Sequence, residues 1–441
     1  MTNLNQASNS TKKRYNILAM VFITVVINYL DRSNISVAAF AMKEDMGLSN
    51  VQMGYVFSAF AWTYACLQIP GGIIADKFPT RILYSIMMAL WSVATLIQGM
   101  VSSFGALIGL RASIGIFEAP SYPINNLVVT RWFPEDERAS AIAIYTSGQF
   151  LGLAFLTPVL VAIQSYFGWR GLFVISGIIG LVWAAIWYFF YRNPQNHKSI
   201  NKAELDHIEK GGGLIGKNDV KKEEKKKFDW NDFKQAFIYR KLWGLYIGQF
   251  CLGATTIFFL TWFPTYLVEF RGLDFLKSGF LASIPFLAAF FGVLLSGFSS
   301  DYLIKKGYSV EIARKTPIII GMLLSTCIIG ANYTDSTFFV ILFLALAFFG
   351  NGLASIAWIF ISLMAPKKLI GLTGGAFNFI GGLAGVVVPI VIGYLVEDGD
   401  FSPALFFIGG IALLGFISYT FIVGKVERIV PKNKKILNNS K

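Results

Sequence analysis

Gly72-Ile73-Ile74-Ala75-Asp76-Lys77 and Gly297-Phe298-Ser299-Ser300-Asp301-Tyr302 are the two stretches that decide the fold. Each places an aspartate four residues after a glycine, at the end of an apolar run and ahead of basic residues. They lie 225 residues apart in a chain of 441. A local pattern recurring at equivalent places in two halves signals a duplicated architecture. The glycine is expected to let helices approach closely, and the aspartate to cap a helix or pair with a neighbouring one.

Around these stretches, apolar runs long enough to cross about 30 Å of hydrocarbon fall near 15–41, 50–74, 81–101, 104–128, 139–163 and 169–191. A polar gap comes next, then runs near 241–267, 275–298, 313–332, 336–361, 369–396 and 402–424. The reading is an all-α membrane protein with 12 transmembrane helices in two pseudo-symmetric six-helix halves. Its parts are a tail at 1–14, a half at 15–191, a linker at 192–240, a second half at 241–424 and a tail at 425–441. The first apolar run continues into Asn28-Tyr29-Leu30-Asp31-Arg32 without a small-residue cleavage site, so it reads as retained rather than as a signal peptide.

Composition agrees. Charged residues make up 14% and hydrophobic ones 55%, against roughly 25% charged in a soluble domain. That excludes a disordered chain, a disulfide-stapled domain and an ordinary cytosolic enzyme. With a cytoplasmic N-terminus, the inside segments hold 32 of the 38 lysines and arginines and the outside loops 4. This asymmetry places both termini in the cytoplasm. It also explains the net charge of +13 as topology, with no nucleic-acid partner implied. The linker run Lys221-Lys222-Glu223-Glu224-Lys225-Lys226-Lys227 reads as solvated and near anionic headgroups. Gly211-Gly212-Gly213-Leu214-Ile215-Gly216 matches a dinucleotide fingerprint in letters only, since no strand precedes it. Cys66, Cys251 and Cys327 form no pair or metal motif, and His197 and His207 both lie in the linker, away from the spans.

Asp31, Arg32, Arg111 and Glu118 are ionisable residues inside apolar runs, and their formal charges cancel. An intramembrane charge costs roughly 2.5–3.5 kcal/mol on an insertion scale, so it needs a partner, a wet cavity, or both. Helical geometry puts Arg111, Glu118, Tyr122 and Asn125 within about 60° of one another. Tyr29 and Arg32 share a face, while Asp31 turns about 100° away. Arg32 is therefore the candidate anion clamp, because a planar guanidinium grips a carboxylate with two hydrogen bonds. Arg111 is expected to serve the carboxylates. Asp31 and Glu118 are the candidate proton carriers, since gaining or losing an ion pair changes whether a buried carboxylate is ionised. The alternative is a structural salt-bridge set. In the second half Asn351, Ser355, Trp358 and Ser362 read as one polar stripe, and Gln249 and Thr256 share a face. Such groups suit a polyhydroxylated solute or, alternatively, helix–helix hydrogen bonding.

The sequence resembles the major facilitator superfamily. Its loop between the second and third spans is matched at Gly72, Asp76, Lys77 and Arg81, with Pro79 and Thr80 departing from the usual pattern. Gly168-Trp169-Arg170 is a further shared feature. Within the superfamily the chain is similar to the anion:cation symporter family, carried by Asn28 through Asn34, Phe117-Glu118-Ala119-Pro120-Ser121-Tyr122-Pro123, and Arg131-Trp132-Phe133-Pro134-Glu135-Asp136-Glu137-Arg138. Resemblance to proton-coupled sugar-acid transporters for galactonate, glucarate or hexuronates implies substrate contacts at Tyr29, Arg32, Tyr64, Gln149, Gln249, Ser355, Trp358 and Asn378. It implies a gating set of Gly72, Asp76, Lys77, Arg81, Arg131, Arg138 and Asp301. It also implies a monomer in the bacterial inner membrane, with protons for coupling and no cofactor. The resulting expectation is import of a small organic anion by proton symport, through a site between the halves. A uniporter or exchanger and, from another class, a membrane sensor are the competing readings; no nucleophile–base pair or metal cluster speaks for an enzyme.

Overall fold

A computed structural model describes residues 10–215, 230–366 and 369–429. The remainder of both tails, Gly216, the 221–227 charge run, Lys367 and Lys368 lie outside the described residues.

The elements in chain order are α1 (Lys13–Met46), α2 (Asn50–Lys77), α3 (Thr80–Gln98), α4 (Phe104–Glu118), α5 (Ser121–Trp132), α6 (Glu135–Phe190) and α7 (Lys202–Lys210). Next come α8 (Trp230–Ile238), α9 (Arg240–Thr261), α10 (Phe263–Thr265), α11 (Phe275–Lys305), α12 (Val310–Ser325), α13 (Thr337–Ala354), α14 (Ile359–Met364), α15 (Ile370–Leu395) and α16 (Ser402–Ile417). Among the described residues, nine helical segments are long and apolar enough to cross a membrane.

Departures from the expected runs have local causes. Span 104–128 divides into α4 and α5 because Pro120 has no N–H to continue the helix. Conversely, runs 139–163 and 169–191 fall in one long element, α6, which turns at Gly168 with φ 69° and ψ 174°. A side chain there would be strained, so this glycine is the corner between two helices. The stripe expected from Asn351 to Ser362 is also interrupted, since Ser355–Trp358 tighten into a 3-10 turn between α13 and α14.

Packing divides the chain into two units. The first holds the described residues of 1–224 with 260–283, and the second those of 225–259 with 284–441. The 260–283 segment, read from sequence as part of the second half, thus belongs with the first unit. There Trp262 meets the ring of Phe57 edge-on at 5.2 Å, and Lys43 pairs with Glu269 at 2.5 Å. The first core is aromatic: Tyr84 lies edge-on to Trp187 at 4.9 Å, and Trp187 stacks on Tyr191 at 4.6 Å. The second core gathers Tyr246, Met322, Phe360, Phe377 and Tyr419.

Close approach does not occur at the repeated glycines. A Cβ on Gly72 would meet Pro123 at an ordinary 3.9 Å and one on Gly297 would meet nothing within 4 Å, whereas Gly71 presses on Pro120 at 3.1 Å. The steric expectation for Gly72 and Gly297 is corrected accordingly.

The Gly211 loop comes directly after helix α7, and its backbone is consumed in packing. Gly211 O accepts from Glu135 N–H (2.8 Å), Gly212 O from Arg138 (2.6 Å), and Leu214 N–H donates to Thr130 O (3.0 Å). From α7, the fully buried Glu204 carboxylate accepts hydrogen bonds from Thr11 Oγ1 (2.5 Å), Lys13 N–H (2.8 Å) and Arg14 N–H (3.0 Å). It therefore caps α1, whose own cap residue, Lys12, supplies no side-chain acceptor. Burial pushes this carboxyl up, but the N–H and hydroxyl donors and the Arg14 charge outweigh it and hold Glu204 below the ordinary range. Its contribution is thus present at neutral pH and lost as pH falls through the depressed value. Glu204→Gln is expected to lower stability at pH 7 by about 1 kcal/mol, with the gap from the parent protein closing toward acid pH in thermal melts; a gap independent of pH would contradict this.

Candidate functional site

The central arrangement in the first unit is built by α1, α2 and α4. Arg32, on α1, places Nε and Nη2 each 2.9 Å from Glu118 Oε2. Glu118 is the last residue of α4 and is fully buried; the Arg32 side chain is only 10% exposed. Three rings surround the guanidinium, Tyr64 at 4.6 Å, Phe60 at 4.8 Å and Tyr29 at 5.0 Å from Cζ to ring centre. Phe60 and Tyr64 are stacked 5.0 Å apart, one helical turn from each other on α2. Tyr29 and Arg32 share the α1 face that sequence spacing assigned them. The Tyr29 hydroxyl donates to Gln149 Oε1 at 2.8 Å, so four of the expected first-half residues form one group.

Arg111 lies near both Asp31 and Glu118 but forms no ion pair with either. Its Nη1 donates to the backbone carbonyl of Asp31 at 3.4 Å, and its Cζ lies 5.5 Å from the Phe60 ring. Among the described residues no carboxylate oxygen comes within 4 Å of it, so Arg32, not Arg111, holds Glu118. Arg111 and Glu118 stand seven residues, or about 10 Å, apart along α4, whereas Arg32 reaches Glu118 from α1. Asp31 is completely buried on the other side of α1, where its carboxylate faces Thr95 and Trp91 of α3. Trp91, Thr95 and Gln98, all fully buried, escaped the sequence reading. Their signal was polar side chains at i, i+4 and i+7 within an apolar run.

In the second unit, Asn351 is absorbed by helix packing. It donates to Leu252 O at 2.9 Å and accepts from Thr256 at 3.3 Å. Ser362 donates to Ile359 O at 2.8 Å. Gln249 and Asn378 are half-buried, and Gln249 Cγ lies 2.7 Å from where a Cβ on Gly381 would stand. Ser355 sits in the tight turn, while Trp358 is 49% exposed and edge-on to Phe377 at 4.9 Å.

The loop arginines bond groups at or near helix ends. Arg131 donates to Thr80 Oγ1 (2.7 Å), Arg81 to Tyr188 O (2.6 Å), and Arg138 to Thr130 O and Phe133 O (each 3.3 Å). Asp301 pairs with Arg314 at 2.9 Å. Asp76 and Lys77 are exposed at the end of α2.

Among the described residues, nine helical segments long and apolar enough to cross a membrane define the class as an integral membrane protein. The model of the Major Facilitator Superfamily matches residues 21–310, and the chain belongs to that superfamily: it is an integral membrane transporter and not an enzyme. A D-galactonate transporter of Escherichia coli O6:H1 is 53% identical over 424 residues, covering 96% of this chain and 98% of that relative. A probable galactarate/D-glucarate transporter of Bacillus subtilis (strain 168) is 42% identical over 436 residues, covering 97% and 96%. Among solved structures, a D-xylose-proton symporter superposes with a TM-score of 0.71 at 14% identity, covering 93% and 98%, which establishes shared fold.

Gly115 lets α2 and α4 meet, since a Cβ there would stand 2.3 Å from both Phe60 O and Thr63 Oγ1. Gly115→Ala is therefore expected to cost about 1–3 kcal/mol and to displace Phe60 from Arg32. A thermal melt with the parent midpoint would contradict this packing.

Proposed function

We propose that this protein imports a sugar acid of the galactonate, glucarate or hexuronate class by proton symport. The observation that carries the reading is the Arg32–Glu118 pair inside its aromatic enclosure. An aldonate carboxylate competes with Glu118 for the same guanidinium. Once Arg32 turns to the substrate, Glu118 is left without its cation in a low-dielectric setting and takes up a proton. Protonation and loading are thereby linked through one arginine. Asp31, against Arg111, Thr95 and Trp91, is the second proton carrier. Tyr29, Tyr64 and Gln149 in the first unit and Gln249, Ser355, Trp358 and Asn378 in the second are assigned to the solute's hydroxyl groups.

The proposed topology is twelve crossings, in halves at 15–191 and 241–424, with both termini cytoplasmic, in the bacterial inner membrane. The arginine and lysine asymmetry supports it. The protein acts as a monomer, and the gradient supplies about 2.3 kcal/mol per charge for each 100 mV. The 42–53% identity to named sugar-acid transporters over nearly the whole chain supports the substrate class.

The test is uptake of D-galactonate into proteoliposomes under an imposed inward proton gradient. Glu118→Gln is expected to abolish accumulation above equilibrium while retaining counterflow exchange, because exchange needs binding and reorientation but no net proton movement. Accumulation at the parent rate would remove Glu118 from the coupling. Uptake by the parent protein that ignores collapse of the gradient would favour a uniporter or exchanger. Arg32→Ala should abolish the thermal shift that galactonate gives the purified protein; an unchanged affinity would reassign the clamp.

A further inference from the structure

The start of α3 and the end of α6 bring together basic side chains that make no hydrogen bond or ion pair to the Arg32–Glu118 group. Arg81 Nε and Arg192 Nη1 both donate to the backbone carbonyl of Tyr188, at 2.6 and 3.0 Å. Arg192 Nη1 also reaches Tyr191 O at 2.6 Å. Beside them, Arg131 Nη1 bonds Thr80 Oγ1 at 2.7 Å and Asn193 Oδ1 at 3.5 Å, so it grips the neighbours of both other arginines. Among the described residues, no carboxylate oxygen lies within 4 Å of any of the three. Two guanidiniums are thus held on a single carbonyl without a counter-ion. A guanidinium has five N–H donors, and Arg81 and Arg192 each spend only one nitrogen on protein acceptors among the described residues. Repulsion between gathered cations is relieved when a multivalent oxyanion joins them, and arginine's planar fork matches phosphate geometry.

The surroundings identify the source of that phosphate. From Arg81, α3 exposes Ile82, Ile86, Leu90, Val93 and Ile97, at spacings of four, four, three and four residues. This is one continuous apolar stripe along the helix. On the α6 side, Phe189 and Phe190 are 66% and 67% exposed immediately before Arg192. A basic cluster at the end of a hydrocarbon-facing stripe, flanked by exposed rings, is the geometry of a headgroup site. We propose that Arg81 and Arg192, with Arg131 behind them, bind the phosphodiester of an anionic phospholipid whose acyl chains lie along the α3 stripe. The proposal rests on the membrane setting and is independent of which solute is carried.

The probe is dioctanoyl-phosphatidylglycerol, titrated onto the full-length protein in a neutral detergent while thermal stability is followed. A saturable rise in the melting midpoint is expected, with no such rise from dioctanoyl-phosphatidylcholine. The R81Q/R192Q double variant should weaken the apparent affinity by about tenfold or more, and Lys198→Gln, at an exposed position in the linker, should leave it unchanged. Should the double variant fail to fold, Arg192→Gln alone, just beyond the end of α6, is expected to show a smaller loss in the same direction. Native mass spectrometry should retain phosphatidylglycerol on the parent protein more than on the variants. An equal response to phosphatidylcholine, the same shift from inorganic phosphate alone, or unchanged affinity in the variants would overturn the lipid assignment.

Discussion

A glutamate with no exposed surface must be neutralised, and in this protein Arg32 is the one arginine in direct contact with it. The desolvation cost of a buried charge amounts to several kcal/mol per ion, so Arg32 and Glu118 are held together by mutual necessity. Both nitrogens of the arginine that face Glu118 converge on a single oxygen. The rings of Tyr29, Phe60 and Tyr64 supply the rest of the guanidinium's surroundings with electron-rich faces. Such a pair is stable only while both partners are charged or while another group takes the place of one of them. A carboxylate-bearing solute is such a group, and exchange of one carboxylate for another is chemically even-handed. In the proposed coupling, the glutamate displaced by the solute restores neutrality by taking up a proton.

The remainder of the first unit serves to hold this pair. Glu118 ends α4 just ahead of Pro120, which has no N–H for the next helical hydrogen bond. Gly115, one turn earlier, brings α4 against the α2 backbone at Phe60, and Phe60 lies against both buried arginines. The start of α1 is fastened by Glu204 through its first backbone N–H groups. Asp31 is separated from Arg32 by the width of α1, so two carboxylates of similar chemistry occupy different surroundings. Divergent environments for two acids on one fold are the usual route to two distinct protonation roles.

Periodicity and length made much of the architecture legible in the chain: the apolar runs, the repeated Gly-x-x-x-Asp pattern, the four ionisable residues and the shared face of Tyr29 and Arg32. Gly168 was visible as part of a motif, but its work as a corner needed backbone angles. The pairing of Arg32 with Glu118 in place of Arg111 was hidden because an arginine side chain reaches several ångströms in any direction, and helix angle alone does not choose its partner. The second-half stripe failed at Ser355 because nothing in Ser-Ile-Ala-Trp announces a tightened turn. Asn351 was drawn into α9 by the backbone of Leu252, a demand that side-chain patterns do not reveal. Glu204 was out of reach for another reason: its hydrogen-bond donors lie about 190 residues earlier in the chain.

The most direct measurement is proton exchange on binding. Purified protein in weakly buffered solution with a pH indicator, near neutral pH, would receive saturating D-galactonate, and the protons taken from solution would be counted against bound solute. Displacement of Glu118 from Arg32 requires net proton uptake on binding, of up to one per site at a pH between the points where Glu118 ionises in the free and in the loaded protein, and its loss in the Glu118→Gln protein. Full binding with no change in the indicator across that range would show that solute and glutamate do not compete for the arginine.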